Sequence, residues 1–228
     1  MYYGPRTITN GLVLALDAAD KNSYPGTGTT WKDLTTNANN GTLVNTPTFS
    51  NINGGTLSFN GTNQAVDVTS NSSLRPTNVS LSVWFNRNNS TIVGNEAIAE
   101  SRKSSWISYG LHISSGGIDW FIGYLDSSPY STSVGAYGNY VDGNWHNVVG
   151  TYDKQNLKIY VDGVLKNTSN SFTSDILYSG DLLFIIGFHA ESTTYFEGKI
   201  SNTLLYNRAL TATEVLQNYN ATKTRFGL

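Results

Sequence analysis

Two glutamates four residues apart, Glu96 and Glu100, are as near as this chain comes to a hydrolytic pair. Hydrolysis of a glycoside needs two carboxylates about 5–9.5 Å apart, one of them held protonated to act as the acid. Glu96 and Glu100 lie in an apparent strand or loop, and both are expected to be solvated rather than catalytic. The three histidines, His112, His146 and His189, fall in different strands, and none has a Ser or Cys nucleophile motif beside it. The chain is therefore read as having no catalytic residue.

Asp33 begins a second candidate group. Thr35, Asn37 and Asn39 follow it at alternate positions, so an acidic anchor is joined by short oxygen-bearing side chains. Calcium takes ~6–8 hard oxygens from such groups, and a calcium site against Asp33 is one expectation, an ordinary hydrogen-bonded loop the other.

The third group is aromatic. Trp106, Trp120, Tyr124, Tyr130, Tyr137 and Tyr140 gather in one region, with Asn86, Arg87, His112 and Asp126 nearby. Exposed aromatic faces stack on sugars while amides and carboxylates meet the hydroxyls, and a Tyr-rich surface suits protein contact as well. Trp120 shares a strand face with Ile122 and can equally be core. Ser127–Gly143 reads as a loop of about 17 residues, longer than the ~12–15 that an unstructured connection usually spans, and is expected to be the working surface.

Strands must position all of these groups. In Val79–Asn86, Val79, Leu81, Val83 and Phe85 alternate with Ser80, Ser82, Trp84 and Asn86, the pattern of a two-faced strand. Leu157–Val161 alternates in the same way and runs into Asp162-Gly163, the pair a type I′ turn selects because both central positions need φ > 0. Val164–Thr168 is the expected return arm. Further strands are read at Leu12–Asp17, Leu57–Phe59, Ala65–Val68, Ser108–Ile113, Ile118–Leu125, Leu182–Ile186 and Tyr195–Tyr206, with Asn60-Gly61-Thr62-Asn63 as a second hairpin signal. Only Thr211-Ala212-Thr213-Glu214, a capping box followed by Val215, Leu216 and Tyr219, looks helical. That helix is expected to be short, with Ala221–Leu228 returning to loop composition.

The 228 residues include 22 Gly and 5 Pro, and only 13% are charged, with a net charge of −2 and no cysteine. Lys and Arg are scattered, so the basic patch a nucleic-acid surface requires is missing from the sequence. The absence of cysteine leans towards assembly in a reducing cytosol. No charged-then-apolar leader opens the sequence and no run approaches the ~20 apolar residues of a membrane span, so neither a signal peptide nor membrane insertion is expected. No linker or repeat appears, which suggests a single domain over 1–228, with an N-terminal arm at 1–10 and a tail at 221–228.

The phrase Trp145–Lys166, with its Trp-His opening, Thr-Tyr-Asp, and a strand ending Tyr-Val-Asp-Gly, resembles the central hairpin of laminin-G-like domains of the concanavalin A-like superfamily. Gly11–Asp20, Trp31–Leu34, Asn40–Leu43, Phe59–Asn63, Leu81–Phe85, Phe196–Ile200 and Leu205–Thr211 are similar, in order, to further elements of that family. The resemblance implies an all-β, two-sheet antiparallel jelly-roll sandwich with one short C-terminal helix. It also implies a loop, corresponding to Asp33–Asn39, that in many relatives helps to hold calcium. Thr36 and Ala38 replace two glycines of that loop, and Ser201-Asn202 replace a carboxylate pair in the closing strand. The related glucanases carry Glu-x-Asp-x-x-Glu on one strand, and no Glu here precedes an Asp by two residues.

The opening, together with a tail ending Asn218-Tyr219-Asn220 and Arg225–Leu228, is further similar to virion proteins of tailed bacteriophages. That similarity implies a non-enzymatic capsid-decoration or tail-fibre component at the virion surface. Its partners would be other virion proteins or cell-surface polysaccharide, with self-association left open. A free-standing carbohydrate-binding adhesin is the alternative, and a polysaccharide hydrolase a distant third.

Overall fold

The computed structural model describes residues 5–87, 91–92, 94–103, 106–124, 131–178 and 183–228, with backbone only for Lys103 and Trp106. The chain opens with β1 (Leu12–Asp17), β2 (Thr30–Trp31), β3 (Gly41–Val44), β4 (Thr48–Ser50), β5 (Thr56–Asn60) and β6 (Ala65–Val68). β7 (Val79–Asn86), β8 (Glu96–Lys103), β9 (Trp106–Ser114), β10 (Gly117–Gly123) and β11 (Ser131–Tyr137) follow. Then come β12 (Trp145–Tyr152), β13 (Leu157–Val161), β14 (Val164–Thr168), β15 (Leu183–Ile186), β16 (Phe188–His189), β17 (Thr194–Tyr195) and β18 (Glu197–Tyr206), and last the helix α1 (Ala212–Thr222).

These strands make the expected antiparallel jelly-roll sandwich. One sheet runs β14–β13–β12–β7–β18–β5–β4, with β1 also on β18, and the other β11–β10–β9–β8–β15–β6–β3–β2. Alternate side chains of both sheets point inward to one cluster that includes Leu14, Val83, Phe85, Tyr109, Leu111, Trp120, Val148, Ile159, Phe184 and Leu205. Burying these faces is the main drive for closing the two sheets on each other.

The outer face of the first sheet is covered too. Ser80 accepts a hydrogen bond from the Leu210 N–H and donates to the Arg208 carbonyl, both at 2.8 Å. Trp84 stacks under Phe226 and Tyr219, with centroids 4.2 and 5.6 Å away, and its Nε1 donates to Thr222 Oγ1 at 2.8 Å. Trp84 is thus buried outside the inter-sheet core. The capping box at Thr211 and Glu214 forms as expected. The tail, however, does not return to loop. α1 reaches Thr222 and a 3₁₀ turn continues over Lys223–Phe226, because Phe226 has the Trp84 ring to cover. Leu216, assigned to the apolar stripe, is 45% exposed.

The central hairpin closes as the sequence indicates. Val161 faces Val164, and Asp162 and Gly163 have φ of 54° and 77°. The Asp162 carboxylate adds a second role: Oδ1 accepts from the Asn147 N–H at 2.9 Å and Oδ2 lies 2.8 Å from His146 Nδ1. The other hairpin signal is corrected. Asn60–Asn63 joins β5 of one sheet to β6 of the other, as a corner in which Asn60 Oδ1 accepts from the N–H groups of Thr62 and Asn63. The same side-chain turn chemistry serves a hairpin or a corner, and the pairing partners decide which.

Candidate functional site

The aromatic group divides in the structure. Trp120 is fully buried on the inner face of β10, its Nε1 donating to the Thr151 carbonyl at 3.1 Å, so it is a core pillar and not a platform for a ligand. Tyr124 is half-buried, edge-on to Phe172 at 4.9 Å. Tyr140 packs against the core and meets His146 edge-on at 5.4 Å, and burial with the nearby Asp162 charge pushes its phenol pKa up. His112 is buried and points elsewhere. Tyr130, Asp126 and the side chain of Trp106 lie outside the described residues.

Tyr137 alone among the described members stands out, with 78% of its surface exposed. It does not sit on a long loop. Ser131–Tyr137 is a strand, paired to β10 from Gly117↔Tyr137 to Gly123↔Ser131. Its Ser, Thr and Gly residues give a weak strand signal, and pairing along a whole neighbour overrides it. Gly135 leaves room for the Tyr137 ring: a Cβ at Gly135 would lie 3.0 Å from ring carbon Cζ and 2.8 Å from Asp119 Oδ1. The ring is therefore laid along the strand.

Beside it is an open groove of ≈ 400 Å³ between β11, the edge of one sheet, and β14, the edge of the other, with the chain after β14. Thr132, Ser133, Tyr137, Asn167, Ser169 and Phe172 are among the lining, which carries no charged residue. Asn167 Nδ2 donates to the Gly135 carbonyl at 3.0 Å and ties the two edges together. Hydroxyl and amide groups around an exposed aromatic ring can hold a neutral polyhydroxylated ligand by hydrogen bonds and stacking.

The glutamates are not solvated, contrary to expectation. Glu96 is 5% exposed and meets Arg87 in a two-bond pair, at 3.0 Å to Nε and 2.8 Å to the terminal nitrogen. Glu100 is fully buried, with Oε2 2.8 Å from His112 Nε2 and Oε1 3.3 Å from Arg102 Nε. Gly110 stands opposite Glu100 in the β8–β9 register, and a Cβ there would come within 2.7 Å of the Glu100 Cβ. His189, from the β16–β17 hairpin, brings its ring to 4.5 Å from that of His112. Its pKa is lowered to about 4, first by burial and then by the charge of His112. This convergence was not visible in the sequence, where the three residues stand far apart and share no motif.

The Asp33 loop does not fit calcium. Asp33 Oδ1 accepts from the N–H groups of Ala15 and Thr35, and Oδ2 from the Thr35 hydroxyl and the Asn39 N–H, all at 2.7–3.0 Å. Asn37 and Asn39 turn their amide nitrogens to the Val13 carbonyl. The carboxylate is saturated and 3% exposed, so an ion would have to displace four donors. Asn39 Oδ1 is buried without a partner, and one neutral oxygen does not make a hard-cation site. Ser201, where the family has a carboxylate, donates instead to the Gly55 carbonyl at 2.9 Å.

A laminin G family model described as "Concanavalin A-like lectin/glucanases superfamily" matches residues 60–216. The chain belongs to this family. No curated protein matches the sequence. Among solved structures, the binding domain of Paraclostridial Mosquitocidal Protein 1 is 15% identical, with a TM-score of 0.71 over 92% of this chain and 52% of that one. The chain thus spans about half the length of that toxin domain. Domain 4 of AbnA, an extracellular arabinanase from Geobacillus stearothermophilus solved with arabinotriose, is 17% identical, with a TM-score of 0.70 over 91% of this chain and 98% of that one. Trypanosoma rangeli sialidase is 17% identical, with a TM-score of 0.68 over 96% of this chain and 34% of that one. At these identities the likeness is one of fold.

Proposed function

We propose that residues 1–228 act as one non-catalytic module that binds neutral oligosaccharide in the groove between β11 and β14. The observation that carries this reading is the exposed Tyr137 ring beside an uncharged groove lined with hydroxyl and amide side chains. The match in size and fold to an arabinanase domain solved with arabinotriose supports it. So does the placement of Glu96 and Glu100, each buried and engaged by a side chain of its own, Arg87 and His112 respectively.

The finer setting belongs to the same proposal: the surface of a tailed-phage virion, made in the host cytoplasm, where the module would meet cell-surface polysaccharide or other virion proteins. It rests on the resemblance of the opening and tail. Part of that tail already serves the fold, since Tyr219 and Phe226 cover Trp84.

Affinity electrophoresis through gels containing arabinan, laminarin or agarose tests the reading. Retarded migration in at least one, with no release of reducing ends, is expected. Unretarded migration in all of them, with co-sedimentation on assembled particles, would replace glycan binding by protein docking.

A further inference from the structure

Glu100 on β8, His112 on β9 and His189 on β16 are buried, and their potential ligand atoms lie within 4.8 Å of one another. We propose that these three side chains form a site for a divalent transition-metal ion of the zinc class. Two imidazoles and one carboxylate are a donor set for zinc and its neighbours in the series, whereas calcium takes oxygen alone. The site shares no residue with the Tyr137 groove or with the Asp33 loop.

Glu100 and His189 are each held from behind in a way that leaves one donor atom available. Glu100 Oε1 faces Arg102 Nε at 3.3 Å and the Ala190 N–H at 3.5 Å, which leaves Oε2 for the ion. His189 Nδ1 is hydrogen-bonded to the Ser192 hydroxyl, so Nε2 is its ligating nitrogen. Outer hydrogen bonds of this kind fix the tautomer and direction of metal ligands. Arg102 is a cation beside the site, but it also contacts Glu191 at 3.3 Å, so two carboxylates face one guanidinium before any ion enters.

Glu100 Oε2 and His112 Nε2 are 2.8 Å apart, a hydrogen-bond contact. Ion entry breaks this hydrogen bond: His112 ligates through Nε2 as the neutral tautomer with its proton on Nδ1, and any further proton on the pair leaves to solvent. The gap opens by several tenths of an ångström to admit bonds of about 2.0–2.2 Å on each side. Three protein ligands leave a fourth position free. A cleft of ≈ 90 Å³, lined by Asn95, Arg102, His112, Phe121, His189 and Glu191 among others, lies beside the cluster and gives that position access to a water or small ligand.

Titration of the full chain with Co2+ reads the site directly. One equivalent should produce the visible absorption of low-coordinate cobalt, and Zn2+ should bleach it. His189→Asn should abolish the band, and His146→Gln should leave it unchanged. Ser192 is exposed, so Ser192→Ala keeps the test valid should His189→Asn fail to fold; it should weaken binding about 10-fold by freeing the His189 ring. The proposal is overturned if no band appears, if it survives His189→Asn in folded protein, if Ser192→Ala binds unchanged, or if it follows His146.

Discussion

Trp120 of one sheet stands directly over Gly150 of the other, and a Cβ at Gly150 would overlap the indole ring. The indole N–H is anchored next door, on the Thr151 carbonyl at 3.1 Å. A close-packed core cannot absorb the extra methyl without moving the ring off its anchor. Gly150→Ala should lower stability by about 1–3 kcal/mol, seen as a lower urea midpoint. An unchanged midpoint would mean that the two sheets do not meet through this pair.

The C-terminal turn should matter to stability as much as a core strand does. Phe226 is 9% exposed and lies flat on Trp84 at 4.2 Å. Phe226→Ala should cost about 3 kcal/mol and expose the Trp84 ring, giving a red-shifted tryptophan emission in the folded state. Unaltered emission and melting would show that the tail does not cap the sheet.

His146 makes the hairpin sensitive to pH. Burial alone would lower its pKa, but the hydrogen bonds and charges of Asp162 and Asp142 outweigh burial and raise it. A raised folded-state pKa means that the charged form stabilises the fold below the unfolded value of about 6.5, and that this contribution is lost as pH rises through the folded value. The difference in unfolding free energy between the native chain and His146→Gln should therefore shrink between about pH 6 and pH 9. A constant difference over that range would remove the charge from the account of this turn.

Local pattern and tertiary placement were not equally legible in the sequence. β1, β7, β13 and β14 appear in it with the bounds the structure shows, because the apolar run of Leu12–Leu16, the alternation in β7 and β13, and Asp162-Gly163 are local signals. The Asn60–Asn63 corner was not legible as such, since its chemistry is the same whether the next strand stays in the sheet or leaves it. β11 was hidden by Ser131, Thr132, Ser133 and Gly135, and its strand character comes from pairing with β10. Tyr137 is exposed and Trp120 buried, a difference that residue type alone could not reveal. Glu100, His112 and His189 meet only through strand register and a folded-over hairpin, which no spacing in the chain announces.

The central claim is that Tyr137 and the groove beside it bind a neutral oligosaccharide, and calorimetric titration of Tyr137→Ala tests it most directly. The side chain is 78% exposed, so its removal should leave the melting temperature unchanged. Affinity for whichever oligosaccharide retards the native chain should fall about tenfold or more, the loss of one stacking face. A folded Tyr137→Ala variant that binds the same oligosaccharide with undiminished affinity would contradict the account.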